Sequence, residues 1–393
     1  MEHDDLQDMV RAVRQFVRSE VVPEETTIEE NDAIPDRIRQ QAIDMGLYGF
    51  ALPIEHGGLG MTMTEEVQLV FELGYTTPAF RSMFGTNNGI AGHVLIEGGT
   101  DEQKRHLLPG LASGALTAAF ALTEAEAGSD PAGLVTRARR DGVEWVINGA
   151  KRYITNAPVA DVFMVFARTS KAEKPSQGIS VFMVPRDAAG LSVAPKDTKM
   201  GQAGAWTADV YLDEVRVPES ALVGASEGTG YETAMRCLAH GRLHIAALCV
   251  GLSERLVDES LNFALDRRQG GKPIAEHQLI QGMLADSQTE YLAARALVLE
   301  SARAYDTGAD RRMAPAASKY FASEAVGRIA DRAVQIHGGA GYMRGVPVER
   351  LYRDARLFRI YEGTSQIQQL VIAGQMMRNA AQPAGASHPK WSP

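Results

Sequence analysis

The sequence predicts an α+β multidomain protein: an N-terminal α-helical domain, a middle antiparallel β-barrel domain and a C-terminal helical bundle. Three observations carry that reading. Helix start and stop signals fill the chain to about Leu116, β-rich runs between turn signals follow to about Val223, and a 3.6-residue apolar period returns from Gly230 onward. The expected boundaries are 1–116, 117–225 and 226–380, with a loose tail rich in Pro, Ala, Gly and Ser over 381–393.

In the first domain Pro35 stands at a helix start and Gly46 after its end. Thr62 with Glu65, and Thr100 with Gln103, have the spacing of a capping box, in which hydroxyl and N3 side chain each serve the other's backbone N–H. Gly74 closes the helix that Thr62 opens. In the middle domain Asp141-Gly142 and Asn148-Gly149 are hairpin signals, because both positions tolerate the positive φ of tight turns. They bracket a strand over 143–147, and runs at 162–167, 179–184 and 210–217 add further strands. In the third domain Ile245, Leu248, Leu252 and Leu256 make one stripe, and Val257, Leu261 and Leu265 continue on an adjoining face, which places this helix inside a bundle. Further helices are expected over 275–305, 316–337 and 364–377, broken at Pro273, Gly308 and Gly338-Gly339.

With 393 residues, 45% hydrophobic and 23% charged, the chain holds two or three packed domains, which excludes a disordered interaction protein, a collagen-like fibre and a small disulfide scaffold. A net charge of −9 without a basic stripe argues against nucleic acid as partner. The longest apolar run, around 245–250, is too short to span a bilayer, and the start Met-Glu-His-Asp-Asp is acidic where a targeting peptide is basic. No membrane association and a cytoplasmic protein are therefore expected. Cys237 and Cys249, on one helix, stand about 18 Å apart and read as reduced core thiols.

The chemistry narrows by elimination. No Walker loop is present, and Gly338-Gly339-Ala340-Gly341 lacks both the third glycine and the preceding strand of a dinucleotide fold. His240 and His244 are four apart on a helix, but Gly241 stands where a zincin has its glutamate, so no metal is expected and the pair reads as polar lining of a helix face.

Two stretches remain. In Ala121-Leu-Thr-Glu-Ala-Glu-Ala-Gly-Ser-Asp130, hydroxyls and turn N–H groups gather where helix gives way to strand; this suits a polar ring edge or a phosphate, and equally an ordinary capped loop. In Ile360-Tyr-Glu-Gly-Thr-Ser-Gln-Ile-Gln368, the single carboxylate of Glu362 lies between an aromatic and a glycine, just before a helix start. Held in an apolar pocket it becomes a general base; left in water it is a carboxylate favoured by the helix dipole. On pattern alone both readings stand.

Together these motifs, in this order over about residues 4 to 380, resemble the acyl-CoA dehydrogenase family. The resemblance implies an N-terminal α-domain, a middle β-domain and a C-terminal four-helix bundle binding FAD. ALTEAEAGSD is similar to the family's ALTEPxAGSD segment and implies Phe120, Leu122, Thr123 and Ser129 on the flavin, with Ser129 also near the acyl-CoA; Ala125 replaces the usual proline. Tyr153-Ile-Thr-Asn156 resembles the family's Trp-Ile-Thr-Asn and implies Tyr153 and Thr155 at the isoalloxazine. Arg267 matches an arginine given to the FAD pyrophosphate across a subunit boundary, with Gly270 in place of the usual phenylalanine. Gln278, Gln335, Gly338 and Gly339 fall on further FAD positions, some contributed by a neighbouring subunit, which implies a homotetramer.

Tyr361-Glu-Gly-Thr-Ser-Gln366 is similar to the family's catalytic segment: it implies Glu362 as base, Tyr361 and Gly363 beside the substrate, and Thr364 and Gln366 on the flavin. The isovaleryl-type branch carries its base at the position of Gly241, which has no carboxylate, and Arg242 faces the CoA portion. The implied reaction removes the α-proton of an acyl-CoA thioester while the β-hydride passes to flavin N5, giving a trans-2-enoyl-CoA, with electrons passed to an electron-transferring flavoprotein. The alternatives are an acyl-CoA oxidase or flavin monooxygenase on the same fold, or a non-catalytic binding relative. Ala203, Ala205 and Trp206 depart from the family pattern just before the last long strand.

Overall fold

A computed structural model describes residues 3–224 and 226–381. The expected tail over 381–393 lies, from residue 382 on, outside the described residues. In chain order the helices are α1 (His3–Phe16), α2 (Glu25–Asn31), α3 (Asp36–Asp44), α4 (Met63–Leu73), α5 (Pro78–Gly89), α6 (Ala91–Gly98) and α7 (Asp101–Ala112). Strands follow: β1 (Ala118–Ala121), β2 (Arg137–Asp141), β3 (Glu144–Thr155), β4 (Val162–Arg168), β5 (Ile179–Pro185), β6 (Leu191–Val193) and β7 (Thr207–Pro218). The chain then returns to helix with α8 (Gly230–Asp266), α9 (Gln278–Asp306), α10 (Met313–His337), α11 (Pro347–Ala355) and α12 (Ser365–Ala380). The helix, strand, helix succession is the one expected, with α11 added.

The residues pack as two compact units. One comprises Thr27–Met61 and Ala79–His240; the other, as described, comprises residues 3–26, 62–78 and 241–381.

In the first unit the seven strands form one sheet in the order β1-β4-β2-β3-β7-β6, with β5 also on β4. β1 and β2 pair parallel with β4, and the remaining pairs are antiparallel. The parallel β1/β4 pair is possible because β2 and β3 intervene and supply the long crossover such a pair needs. β4 is buried on both faces: Met164 and Phe166 face Leu95, Leu108 and Cys237 in one core, and Phe163 and Val165 join Trp145, Phe182 and Val215 in another. Asn87 is fully buried and satisfied by main chain: its amide donates to the Leu116 carbonyl at 2.8 Å and its oxygen accepts from the Ala118 N–H at 2.9 Å, which seats the start of β1.

Asp141-Gly142 does turn β2 into β3, but Asn148-Gly149 is not a hairpin. β3 runs through it against the equally long β7, bulging between Ile147 and Gly149. Asn148 exchanges hydrogen bonds with Glu214 of β7, and a side chain at Gly149 would collide with Thr136, so this glycine answers a close approach and not a turn.

In the second unit the capping box of Thr62 and Glu65 forms as expected, as does that of Thr100 and Gln103 in the first. A side chain at Gly251 of α8 would collide with the main chain at Phe71 and Gly74, so the end of α4 and α8 touch at glycine. Along α8, Ile245, Leu248, Leu252 and Leu256 are buried as expected. The adjoining face is not: beyond Val257, Leu261 and Leu265 are 42% and 55% exposed, while the opposite side of these last turns is covered, with Ala264 buried against Ile274 and Ile336. Cys237 and Cys249 are buried free thiols, pushed up by burial.

Candidate active site

The loop of residues 360–364 joins a short 3-10 turn, Arg356–Arg359, to α12. Its backbone is unusual: Glu362 has φ 52° and Gly363 φ 90°, both left-handed. A non-glycine residue pays steric strain there, so surrounding groups must hold it. They do so through the two carbonyls. The buried Gln368 amide donates to the Glu362 carbonyl at 3.1 Å and to the Gly363 carbonyl at 2.9 Å, and Lys319 Nζ donates to the same Gly363 carbonyl at 2.7 Å. Lys319, on α10, is 0% exposed. A Cβ on Gly363 would sit 2.6 Å from the Gln368 amide nitrogen, so the clamp also requires glycine.

The far side of the loop is tied to the same helix. Glu324 accepts from Ser365 Oγ at 2.6 Å and from Arg359 Nε at 2.9 Å. Burial works to raise the Glu324 carboxyl, but these two donors hold it below the usual carboxylate range. Thr364 caps α12, its hydroxyl accepting from the Ile367 N–H at 3.2 Å. Tyr361 packs its ring 5.9 Å from that of the buried Phe358.

Glu362 is half-buried and its Oε2 is out of solvent. Burial lowers Lys319 to about 8, while Cys249 and then Glu362 act against that shift and the buried Arg242 acts with it. A carboxylate with one oxygen out of water thus interacts with buried cationic charge, an arrangement suited to proton transfer at carbon.

Of the other positions singled out in this unit, Gln335, Gly338 and Gly339 come together at the exposed end of α10, where Gly338 has φ 57° and an added Cβ at either glycine would meet nothing within 4 Å. Main chain there is open to a ligand. Arg267 and Gln278 are exposed and flank a two-strand turn, Arg268–Gln269 with Lys272–Pro273. Gly270 and Gly271 turn it with φ 60° and 82°, which explains glycine at 270 where a phenylalanine would be strained. Gln366 is exposed on the first turn of α12.

The remaining predicted residues belong to the first unit. Phe120 lies in β1, its ring 4.7 Å from that of Phe166, and the buried Leu122 follows. Lys151 of β3, 0% exposed along its side chain, donates to the Leu122 carbonyl at 3.1 Å and to Glu124 Oε1 at 2.7 Å, and Glu124 also accepts from the N–H groups of Val135 and Thr136 at 2.6 and 3.0 Å. Burial opposes the charge of Glu124, but Lys151 and these donors hold its carboxyl low. The Arg152 N–H donates to the Thr123 carbonyl at 2.9 Å, so the threonine is fixed on both sides. Glu124 and Ala127 exchange backbone hydrogen bonds at 3.2 Å, closing the turn without a proline at Ala125. Ser129 is exposed beyond it.

Tyr153 is held at φ 57° and is 61% exposed, Thr155 is half-buried, and Asn156 is anchored by donating to the Ser82 carbonyl at 3.0 Å and Thr86 Oγ1 at 2.9 Å. Trp206 has a structural reason: its indole N–H donates to the Asp32 carbonyl at 2.6 Å, Lys196 Nζ lies 4.8 Å from its ring centre, and its own carbonyl accepts from the Asn156 N–H at 2.8 Å. Nothing in the structure explains Ala203.

The two histidines have structural partners. His240 stacks on His93 at 3.6 Å and its Nδ1 lies 3.1 Å from the Gly89 carbonyl oxygen; burial takes it down to about 3, so it is neutral. His244, in the second unit, contacts the buried Glu66.

Sequence reasoning missed Lys319, Gln368, Lys151 and Glu124. The signal available for Lys319 was a charged residue on the same helical face as Ala316, Ala322, Ser323 and Val326, where only small or apolar side chains otherwise occur.

Comparison with known proteins adds the family. The N-terminal, middle and C-terminal domain models of acyl-CoA dehydrogenases match residues 3–115, 119–215 and 228–377. A probable acyl-CoA dehydrogenase, YngJ, of Bacillus subtilis is 39% identical over 373 residues, 95% of this chain and 98% of its own. The CarC subunit of the caffeyl-CoA reductase-Etf complex of Acetobacterium woodii is 36% identical, covering 94% of this chain and 98% of its own. The structure of butyryl-CoA dehydrogenase from Megasphaera elsdenii superposes with a TM-score of 0.91 at 30% identity, over 96% of this chain and 99% of that one.

Proposed function

Because the chain belongs to the acyl-CoA dehydrogenase family, we propose that it removes the α-proton and β-hydride of an acyl-CoA thioester, with Glu362 as the base. The observation that supports this most is the left-handed loop of Glu362 and Gly363, pinned through both carbonyls, with Glu362 Oε2 out of solvent.

A thioester α-hydrogen is weakly acidic, so its removal needs a positioned base and a polarised carbonyl. Glu362 supplies the base, and its own N–H is the protein donor to the thioester oxygen. One such donor is worth roughly 3 kcal/mol. Tyr361 and Gly363 are assigned to the acyl group, Arg242 to the CoA portion, and Ser129 to both the flavin and the acyl-CoA.

The residues fit FAD: an exposed flat ring at Tyr153, hydroxyls at Thr123, Ser129 and Thr155, an exposed guanidinium at Arg267, and open main chain at Gly338 and Gly339. Phe120, Leu122, Gln278, Gln335, Thr364 and Gln366 complete the set. When bound, FAD supplies the acceptor for the pair of electrons leaving the β-carbon. An electron-transferring flavoprotein is the proposed oxidant, supported by the Etf complex named for the A. woodii relative. The reading includes a homotetramer, some of whose FAD contacts cross between subunits, working in the cytoplasm; no helix among the described residues is long and apolar enough to cross a membrane. It also keeps the domain division at 1–116, 117–225 and 226–380.

That relative is named as a reductase, which favours a second direction of the same reaction: reduction of an enoyl thioester, with Glu362 returning the α-proton. Both directions use the same groups.

Glu362→Gln is the test. The variant retains FAD, and anaerobic acyl-CoA addition bleaches its flavin roughly 10²–10⁴-fold more slowly than wild type. Bleaching at the wild-type rate overturns the assignment.

A further inference from the structure

We propose that Lys319 is a positioning residue for Glu362: from α10 it grips the Gly363 carbonyl, setting both the backbone turn that presents the carboxylate and the positive field in which it works. The catalytic half of this proposal rests on the reading of Glu362 as base.

The geometry comes first. Lys319 is 44 residues from Gly363 in sequence, yet its Nζ lies 2.7 Å from that carbonyl oxygen. Together with Gln368 it places two buried donors on one carbonyl of a strained turn. Anchoring alone does not require a cation, since the Gln368 amide already does the same work without charge. Burying an ammonium is costly, so its charge is the feature that needs a reason.

The titratable and charged groups acting on Lys319 are Cys249 and Arg242 from α8, Glu362 from the loop, and Glu324 from its own helix. Cys249 is a buried thiol held neutral, and Arg242 is itself a cation. Glu324 is engaged by Arg359 and Ser365 on the other flank of the loop. The carboxylate that gains from the Lys319 charge is therefore Glu362. A nearby cation favours the ionised form of a carboxylate. The lysine is most effective while protonated, and burial brings its own titration to about 8.

The experiment compares FAD-loaded wild type, Lys319→Met, Lys319→Arg and Gln368→Leu. The rising limb of the pH profile for flavin bleaching is expected to move up by roughly one unit in Lys319→Met, which is about tenfold in rate on the acid side. Lys319→Arg, which keeps the cation, returns the limb toward the wild-type position. A readout without turnover accompanies it: the infrared carboxyl band that disappears in Glu362→Gln titrates at correspondingly higher pH in Lys319→Met with no substrate present. An unchanged band titration in Lys319→Met overturns the proposal. Should Lys319→Met not fold, Gln368→Leu decides: it removes the neutral donor and leaves the cation, so the rate falls with the limb unmoved, and a limb shift as large as one unit overturns the assignment of the field to Lys319. Failure of the base reading looks different. Glu362→Gln then stays active while the infrared shift persists, which removes the catalytic half and leaves the electrostatic coupling.

Discussion

Two buried lysines, one in each unit, hold a motif strand or loop in place, and they do it differently. Lys151 meets a carboxylate, Glu124, at 2.7 Å, and the pair is closed by further main-chain donors. Lys319 meets a neutral carbonyl at 2.7 Å, which Gln368 also serves. Burial lowers both lysines to about 8. The difference is where the charge goes: the first lysine is neutralised by its hydrogen-bond partner and rivets the Leu122 to Glu124 segment, whereas the second is bonded to a dipole and leaves its field to act on Glu362. A buried ion pair is a structural element; a buried cation bonded to a carbonyl is an electrostatic one.

The sharpest way to break this contrast is to remove each lysine. Lys151→Met strands the Glu124 carboxylate in the core and costs about 3–5 kcal/mol in urea unfolding. Lys319→Met leaves only a carbonyl that keeps its other donor, and costs about 1–3 kcal/mol. Equal losses would mean that the two lysines do the same job.

A change to the loop backbone comes next. Gly363→Ala places a Cβ 2.6 Å from the Gln368 amide at φ 90°, with an expected strain of about 1–3 kcal/mol. Flavin bleaching by acyl-CoA should fall further than stability does, because the carbonyl clamp is what is displaced.

A smaller effect lies in pH. An unfolded lysine keeps its proton to about 10.5, while the folded Lys319 gives it up near 8. Between these values the unfolded chain binds more protons, so the contribution of this group to stability grows as pH rises through that window. Lys319→Met should lose that rising component in melts from pH 8 to 10.5, and a profile parallel to wild type would contradict it.

The smallest effect on stability belongs to the exposed Arg267. Arg267→Ala should shift unfolding by no more than about 0.5 kcal/mol while weakening FAD retention through dialysis. Unchanged FAD content would remove Arg267 from the cofactor set.

Much of the architecture was legible because its causes are local. The capping boxes at Thr62 and Thr100, the turn at Asp141-Gly142 and the buried stripe from Ile245 to Leu256 each need only neighbours within one or two turns. Asn148-Gly149 reads as a turn because a glycine required by a turn and one required by a close approach look alike in sequence; the difference is Thr136, just ahead of β2. Leu261 and Leu265 show the reverse, an apolar pattern that stays exposed among the described residues.

The sequence alone determined the order of helix, strand and helix, the caps that bound them, and which short segment carries a carboxylate between tyrosine and glycine. Those follow from hydrogen bonds and side-chain periods that span a few residues. Only the tertiary structure decided how that carboxylate is held, because a left-handed glutamate is stable only where distant groups oppose its strain, and Lys319 reaches Gly363 across 44 residues of chain.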